Sequence, residues 1–267
     1  MKQFILNADP GKDNIVRLEG DDYRYLVRVR RLAAGEYFPA LLPGGEEIQI
    51  QVISVNDKVL TGKCLPLNYP FASLQPTPPV YLFQSLPKGD KMDLIVRQAA
   101  EGGISEIVPF VSEFSIAKAN AGEQKISRWE RIIKEARQQS GSRIATAIRP
   151  PLSMKGLFEY WEKLKQKNSL GLLFHHLPLE LSENNDIVGL EQKSLHSYLN
   201  SIPDNVAFVI GPEGGFSCKE VCLFMENGFR TITIGDTVLR TETAALYCAA
   251  AIRILLLEKY SWELKQA

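Results

Sequence analysis

Hydrophobic and polar positions divide the chain into two stretches with different periods. Up to about Leu74, apolar residues come in short alternating or β-branched runs, such as EEIQIQVISV over Glu46–Val55, broken by Pro43, Gly44, Gly45 and Asp57. A period of two buries one side of a strand and wets the other, so this stretch predicts a small β-barrel-like module. Further on, apolar runs of strand length (VYLFQSL, ISEIVPF, SLGLLFH, VAFVIG and TITIG) alternate with segments of helical period, among them DKMDLIVRQAAEGG and QKISRWERIIKEARQQSG. Strands alternating with helices predict a mainly parallel sheet with helices on both faces, hence an α/β class for the larger part. Between the two lies LNYPFASLQPTPPV, where Pro70, Pro76, Pro78 and Pro79 fix φ and remove backbone donors. The expected domains are therefore 1–74 and 75–267.

The two C-terminal helices carry the clearest boundary signals. Ser217 and Glu220 form an S-x-x-E capping box, and Gly228 after Asn227 suits a left-handed C-cap. The last helix, from about Glu242 to Tyr260, contains AALYCAAAIRILLLE, apolar on more than one face, which suggests a subunit interface. Trp129, Trp161 and the phenylalanines at helical spacing read as core, with Phe216 stapling the helix that follows it.

Composition narrows the function classes. A chain of 267 residues with 45% apolar content can bury two cores. Lys plus Arg is 31 and so is Asp plus Glu, so attraction to a polyanion has to come from a local cluster. Arg24, Arg28, Arg30 and Arg31 provide one, with Arg143 and Arg149 as flanking candidates; the alternative is pairing with Glu19, Asp21 and Asp22. No stretch of about 18 uncharged apolar residues occurs, nor an apolar signal-peptide core, so a soluble cytoplasmic protein without membrane attachment is expected. Cys64, Cys218, Cys222 and Cys248 lack CxxC spacing and read as reduced thiols. His175 and His176 are adjacent on a strand, point to opposite faces and have no third ligand nearby, so no metal is expected.

Two loops carry the candidate chemistry. VAFVIGPEGGFS, Val206 to Ser217, is a strand, a glycine-bearing turn and a capped helix start; TITIGDTVLRTETAA, Thr231 to Ala245, repeats that plan. Such loops lie beyond the carboxyl ends of strands, where α/β sheets bind ligands, and their glycines let backbone approach a ligand closely. The chain contains no G-x-G, which disfavours a pyrophosphate cofactor.

The pair IGPEGG and IGDTVLRTETA resembles the cofactor loops of the SPOUT methyltransferases, specifically the RsmE family of small-subunit rRNA uridine N3-methyltransferases. The resemblance extends through KGDKMDLIVRQAAEGGISEIVPF, KISRWERIIKEARQQSGSR and VRVRRLAAGE, with departures at Tyr23–Tyr25, Val29–Arg31, Arg97 and Glu101–Gly103. It implies a C-terminal trefoil-knotted α/β domain, an N-terminal PUA-like RNA-binding barrel and a homodimer. It also implies S-adenosylmethionine as cofactor and 16S rRNA, free or in the assembled 30S subunit, as partner. Leu173, Phe174, Ile210, Gly211, Gly214, Gly215, Ile234, Val238, Leu239 and Thr243 are the implied cofactor contacts. Methylation at uracil N3 needs loss of a weakly acidic proton and a cation beside the resulting anion; Arg240 is assigned the cation, Glu242 or a pocket water the proton, with Glu213 as the alternative base. A related knotted enzyme acting on ribose 2′-oxygen or another base, and an RNA-binding relative without catalysis, are the competing readings.

Overall fold

The structure is a computed structural model that describes residues 3–67, 77–115, 123–175, 193–233 and 235–263. The chain forms two compact units, 1–74 with 137–145, and 75–136 with 146–267.

The smaller unit is a five-stranded sheet. Its strands are β1 (Phe4–Ile5), β2 (Ile15–Glu19), β3 (Tyr37–Leu41), β4 (Glu47–Val55) and β5 (Val59–Pro66), in the order β1-β3-β4-β5-β2. The β1–β3 pair is parallel and the other three antiparallel. Alternation in β4 sends Ile48, Ile50 and Val52 into a core with Phe38, Ala40 and Leu60. Gly62 of β5 pairs with Val52 of β4, and a Cβ there would lie 2.5 Å from Ile50 Cγ2, so any larger residue would displace that core side chain.

After β2 the chain turns through α1 (Gly20–Tyr23) into a π-helical segment, Arg24–Val29. The arginine-bearing stretch is thus helical, although the 1–74 stretch was expected to form strands, and it is closed by the Arg30 amide donating to the Tyr25 carbonyl at 2.9 Å. Residues 137–145, assigned from sequence to the larger domain, group with this unit. The Gln3 amide donates to the Gln138 carbonyl at 2.9 Å, and the Arg143 guanidinium pairs with Glu47 at 2.6 Å.

The larger unit begins with β6 (Val80–Ser85), α2 (Lys91–Glu101), β7 (Glu106–Val111) and α3 (Glu123–Ser140), whose last turn belongs to the smaller unit. It continues through β8 (Ala147–Ile148), β9 (Leu152–Ser153), α4 (Met154–Leu164), β10 (Leu170–Phe174) and α5 (Leu195–Tyr198). It ends with β11 (Val206–Ile210), α6 (Cys218–Glu226), β12 (Phe229–Ile232) and α7 (Thr241–Glu263). The sheet is entirely parallel, ordered β12-β10-β11-β6-β7-β8, with β9 also on β7.

Both faces of this sheet are covered, which explains the continuous apolar runs. Leu82, Ile107, Leu172 and Phe208 pack with residues of α2, α3 and α7; Phe83, Val108, Leu173 and Val209 pack with α4 and α6. The α/β alternation expected from the sequence is observed. Strand order reverses between β6 and β11, and the carboxyl ends of strands at such a reversal are where open α/β sheets place ligands.

Candidate functional site

The two glycine-bearing loops meet at that end of the sheet. Residues Gly211–Phe216, after β11, line one cavity of about 490 Å³ together with Gly235, Thr237–Arg240 and Thr241, the first residue of α7. A buried relay ties them together. The Gln84 side-chain amide, at the end of β6, donates to Thr241 Oγ1 at 3.1 Å, and that hydroxyl donates to the Gly211 carbonyl at 2.7 Å. Gln84 is fully buried and Thr241 is 4% exposed. Hydrogen bonds shielded from water in this way hold the first turn of α7 against the other loop.

The first loop is fixed at several points. Ser217 caps α6 with its hydroxyl on the Glu220 amide, and the Glu220 carboxylate returns to the Ser217 amide, completing the capping box. Glu220 also accepts from the Glu113 amide at 2.8 Å. Phe216 is buried, stacked on Phe110, in one core cluster with Val221 a turn into the helix, the staple expected of it. Gly214 packs closely on Phe114: a Cβ there would lie 3.0 Å from Phe114 Cβ, so a side chain would push that ring aside by a few tenths of an ångström. Gly215 takes φ of 69° and Gly235 64°, left-handed values that favour glycine, and added Cβ atoms at both would point into open space.

Charge gathers beside this loop. Glu213 accepts from Lys91 Nζ at 2.6 Å and from the Lys88 amide at 3.2 Å. Burial alone would raise the Glu213 carboxyl, but the Lys91 hydrogen bond, the amides of Glu213 and Lys88 and the Lys91 charge outweigh it and hold it below the usual carboxylate range. Lys91 Nζ is also 3.9 Å from Glu242 Oε2, a buried oxygen that receives no hydrogen bond from a described residue. Cys248 lines the cavity too; burial pushes its thiol well up, so it presents a neutral surface.

Most of the implied cofactor contacts come together. Phe174, Ile210, Gly211, Gly214, Gly215, Val238 and Leu239 line the cavity, as does Arg240. Arg240 is exposed, and no hydrogen bond or ion pair ties its guanidinium to a described residue. Leu173 does not line the cavity; it points to the opposite face of the sheet, into the core under α4 and α6. Thr243 is exposed and also absent from the lining, where Thr241 stands instead. Glu242 is set back behind Lys91. Ile234 lies outside the described residues, as do Pro70, Pro76 and His176. Lys91, Gln84 and Thr241 were not among the sequence-derived site residues, although Lys91 sits within the KGDKMD run that carried part of the resemblance.

Of the arginines assigned to RNA, Arg24, Arg28, Arg30, Arg31 and Arg143 fall in the smaller unit. Arg24, Arg28 and Arg31 are exposed; Arg24 pairs with Asp21 at 3.1 Å, as the pairing alternative anticipated. Arg30 lies over the Phe38 ring at 5.7 Å, and Arg143 is held by Glu47. Arg149, in the larger unit, is engaged by Glu106 at 2.5 Å and stacks on Tyr160, whose hydroxyl is pushed up to about 12 by burial and by Glu106. The four cysteines are free thiols. Among the described residues, no group of three or more His, Cys, Asp or Glu is placed to hold a metal, and no helix is long and apolar enough to cross a membrane.

A family model described as an RNA methyltransferase domain matches residues 74–253. The ribosomal RNA small subunit methyltransferase E of Synechocystis sp. is 29% identical over 90% of this chain and 73% of its own. The ribosomal RNA small subunit methyltransferase E 2 of Borreliella burgdorferi is also 29% identical, over 96% of this chain and 98% of its own. Among solved structures, the Neisseria gonorrhoeae ribosomal RNA small subunit methyltransferase E bound to S-adenosyl methionine shares the fold at a TM-score of 0.75 and 22% identity, covering 96% of this chain and 98% of that one. A putative methyltransferase from Legionella pneumophila with bound cofactor SAM does so at 0.71 and 24%, over 95% and 98%.

Proposed function

The chain belongs to the RNA methyltransferase domain family, and from that premise we propose that it methylates N3 of a uridine in small-subunit ribosomal RNA, using S-adenosylmethionine. The observation that carries this reading is the Gln84–Thr241–Gly211 relay, which joins two glycine-bearing loops around one cavity. The cavity suits the cofactor. Its volume of about 490 Å³ is within the range of about 300–1,000 Å³ usual for small-molecule sites. Apolar walls from Phe174, Ile210 and Leu239 offer an adenine a place, and the backbone at Gly211, Gly214 and Gly215 is bare.

S-adenosylmethionine, when bound, supplies a methyl carbon activated by a sulfonium. The chain's own residues have to orient the uracil and manage its proton. The N3 proton leaves toward the carboxylates behind Lys91, with Glu242 as the acceptor directly or through a water, because its buried oxygen has an unfilled acceptor position. Negative charge then spreads over the uracil carbonyls, and the uncommitted guanidinium of Arg240 stabilises it as N3 takes the methyl group. Glu213 is the weaker candidate base, since its bonds to Lys91 and the Lys88 amide favour the ionised form and lower its basicity.

The same reading includes the trefoil knot, a PUA-like role for the smaller unit with Arg24, Arg28, Arg30, Arg31 and Arg143 toward RNA, and a cytoplasmic location. It also includes a homodimer through α7. Tyr247, Ala250, Ile254 and Leu257 recur there at spacings of three and four and are exposed, an apolar stripe suited to a second helix. Nucleoside mass spectrometry of ribosomal RNA after incubation of 30S subunits, or of naked RNA, with the protein and S-adenosylmethionine tests the reaction. 3-Methyluridine is the expected product; a 2′-O-methyl nucleoside would reassign the acceptor atom, and no methylated product on either substrate would refute the reading.

A further inference from the structure

We infer that Phe114, an exposed ring beside the cofactor loop, stacks on the base next to the target uridine and so helps to position the RNA. The inference rests on the proposed RNA methylation and extends it to a contact on the substrate side. Phe114 is 46% exposed although most large aromatic residues of this unit lie in its cores. A phenyl ring has no polar group to satisfy, so its exposed face gains nothing from water. It stands beside the cavity without lining it: Gly214 belongs to the lining, and a Cβ built on Gly214 would meet Phe114 Cβ at 3.0 Å and Cγ at 3.5 Å.

The segment presenting the ring is held rigidly. Ser85, Ser112 and Ser115 share a cluster of hydroxyls, with Oγ–Oγ distances of 2.6 Å for Ser85–Ser112, 2.9 Å for Ser85–Ser115 and 3.0 Å for Ser112–Ser115. The Ser115 amide donates to the Ser112 carbonyl at 3.1 Å, and the Glu113 amide donates to Glu220, the residue that completes the α6 capping box. A group whose backbone is already fixed loses little freedom when a ligand covers it. Single-stranded RNA is gripped by stacking unpaired bases on such rings, and a uridine drawn into a pocket leaves its neighbours unstacked and in need of a partner. Because Phe114 lies outside the lining, the neighbouring base is the one it meets.

The test combines protein and RNA changes in a cycle. Methyl transfer is measured at varied RNA concentration for the parent, Phe114→Ala, Phe114→Leu and Phe114→Trp, on RNA with an intact or an abasic nucleotide on either side of the target uridine. Loss of one base–aromatic stack corresponds to roughly 5- to 150-fold in affinity. Phe114→Ala is expected to raise KM for RNA within that range, with S-adenosylmethionine affinity unchanged; Phe114→Trp should restore it and Phe114→Leu should not. The abasic RNA should cost the parent a similar factor and the alanine variant little. An alanine variant with parental KM, full rescue by leucine, or effects of the two changes that multiply at both neighbouring positions would overturn the inference. A parent protein that methylates no RNA fails the proposed function instead, a result separate from any of these.

Discussion

The two loops around the cavity share one plan, strand then glycine then helix, yet differ in how they are held. The 211–217 loop is fixed by a capping box, a buried aromatic stack, a glycine packed closely on Phe114 and a carboxylate bonded to Lys91 and the Lys88 amide. In the 235–240 loop, Gly235, Asp236, Thr237, Val238 and Arg240 are all exposed, and the firm anchor is Thr241 at its end. The first loop is thus a preformed wall. The second carries Arg240, whose guanidinium no described residue engages, and on the proposed reading the first loop holds the cofactor while Arg240 acts on the acceptor.

Arg240→Ala probes that division with the largest expected effect. Removing a preorganised group that stabilises developing charge costs on the order of 10²–10³ in turnover. Single-turnover methyl transfer should fall by that factor, while S-adenosylmethionine binding measured by calorimetry changes by less than about threefold. Equal losses in both would mean that Arg240 holds the cofactor, and the contrast between the loops would collapse.

Ser217→Ala addresses the opposite loop. Loss of an N-cap costs about 1 kcal/mol, which for a chain of this size lowers Tm by roughly 2–4 °C. The same change at exposed Thr237 should leave Tm within error in a parallel thermal scan. A comparable shift from both would show that the second loop is as firmly built as the first.

The contrast also explains what could be read from the chain. Glycine turns, the capping box and the continuous apolar strands are local devices, governed by residues a few positions apart, and IGPEGGFS and the S-x-x-E cap were legible for that reason. The relay that closes the site was not, because Gln84 and Thr241 are 157 positions apart. Parity decided other positions: Leu173 and Phe174 are neighbours on β10, but successive side chains take opposite faces, so one enters a core and the other the cavity. Thr241 and Thr243 both fit a helix start, and only packing of α7 selects Thr241 for the wall. The π-helical turn at Arg24–Val29 was not legible because Arg24, Tyr25 and Arg28 interrupt its apolar residues, leaving no helical apolar period over so short a segment.

The smallest effect concerns pH and the carboxylate that the wall holds against Lys91. The Glu213 carboxyl is held below its ordinary value by its partners in the folded state, so its ionised form favours folding. The sign follows from linkage: the contribution is fully present above the unfolded value of about 4.3 and is lost as pH falls through the lower folded value. The side chains of Lys91 and Glu213 are 36% and 37% exposed, and pairs so open to water contribute about 0–1 kcal/mol, less than the cap. Urea midpoints of the parent and Glu213→Gln should therefore differ by a small constant amount near neutrality and converge as pH falls below the ordinary carboxylate range. A gap that widens toward acid would mean that the protonated carboxyl is the better bonded form; the first loop would then owe its rigidity to the cap and the aromatic stack, without help from the ion pair.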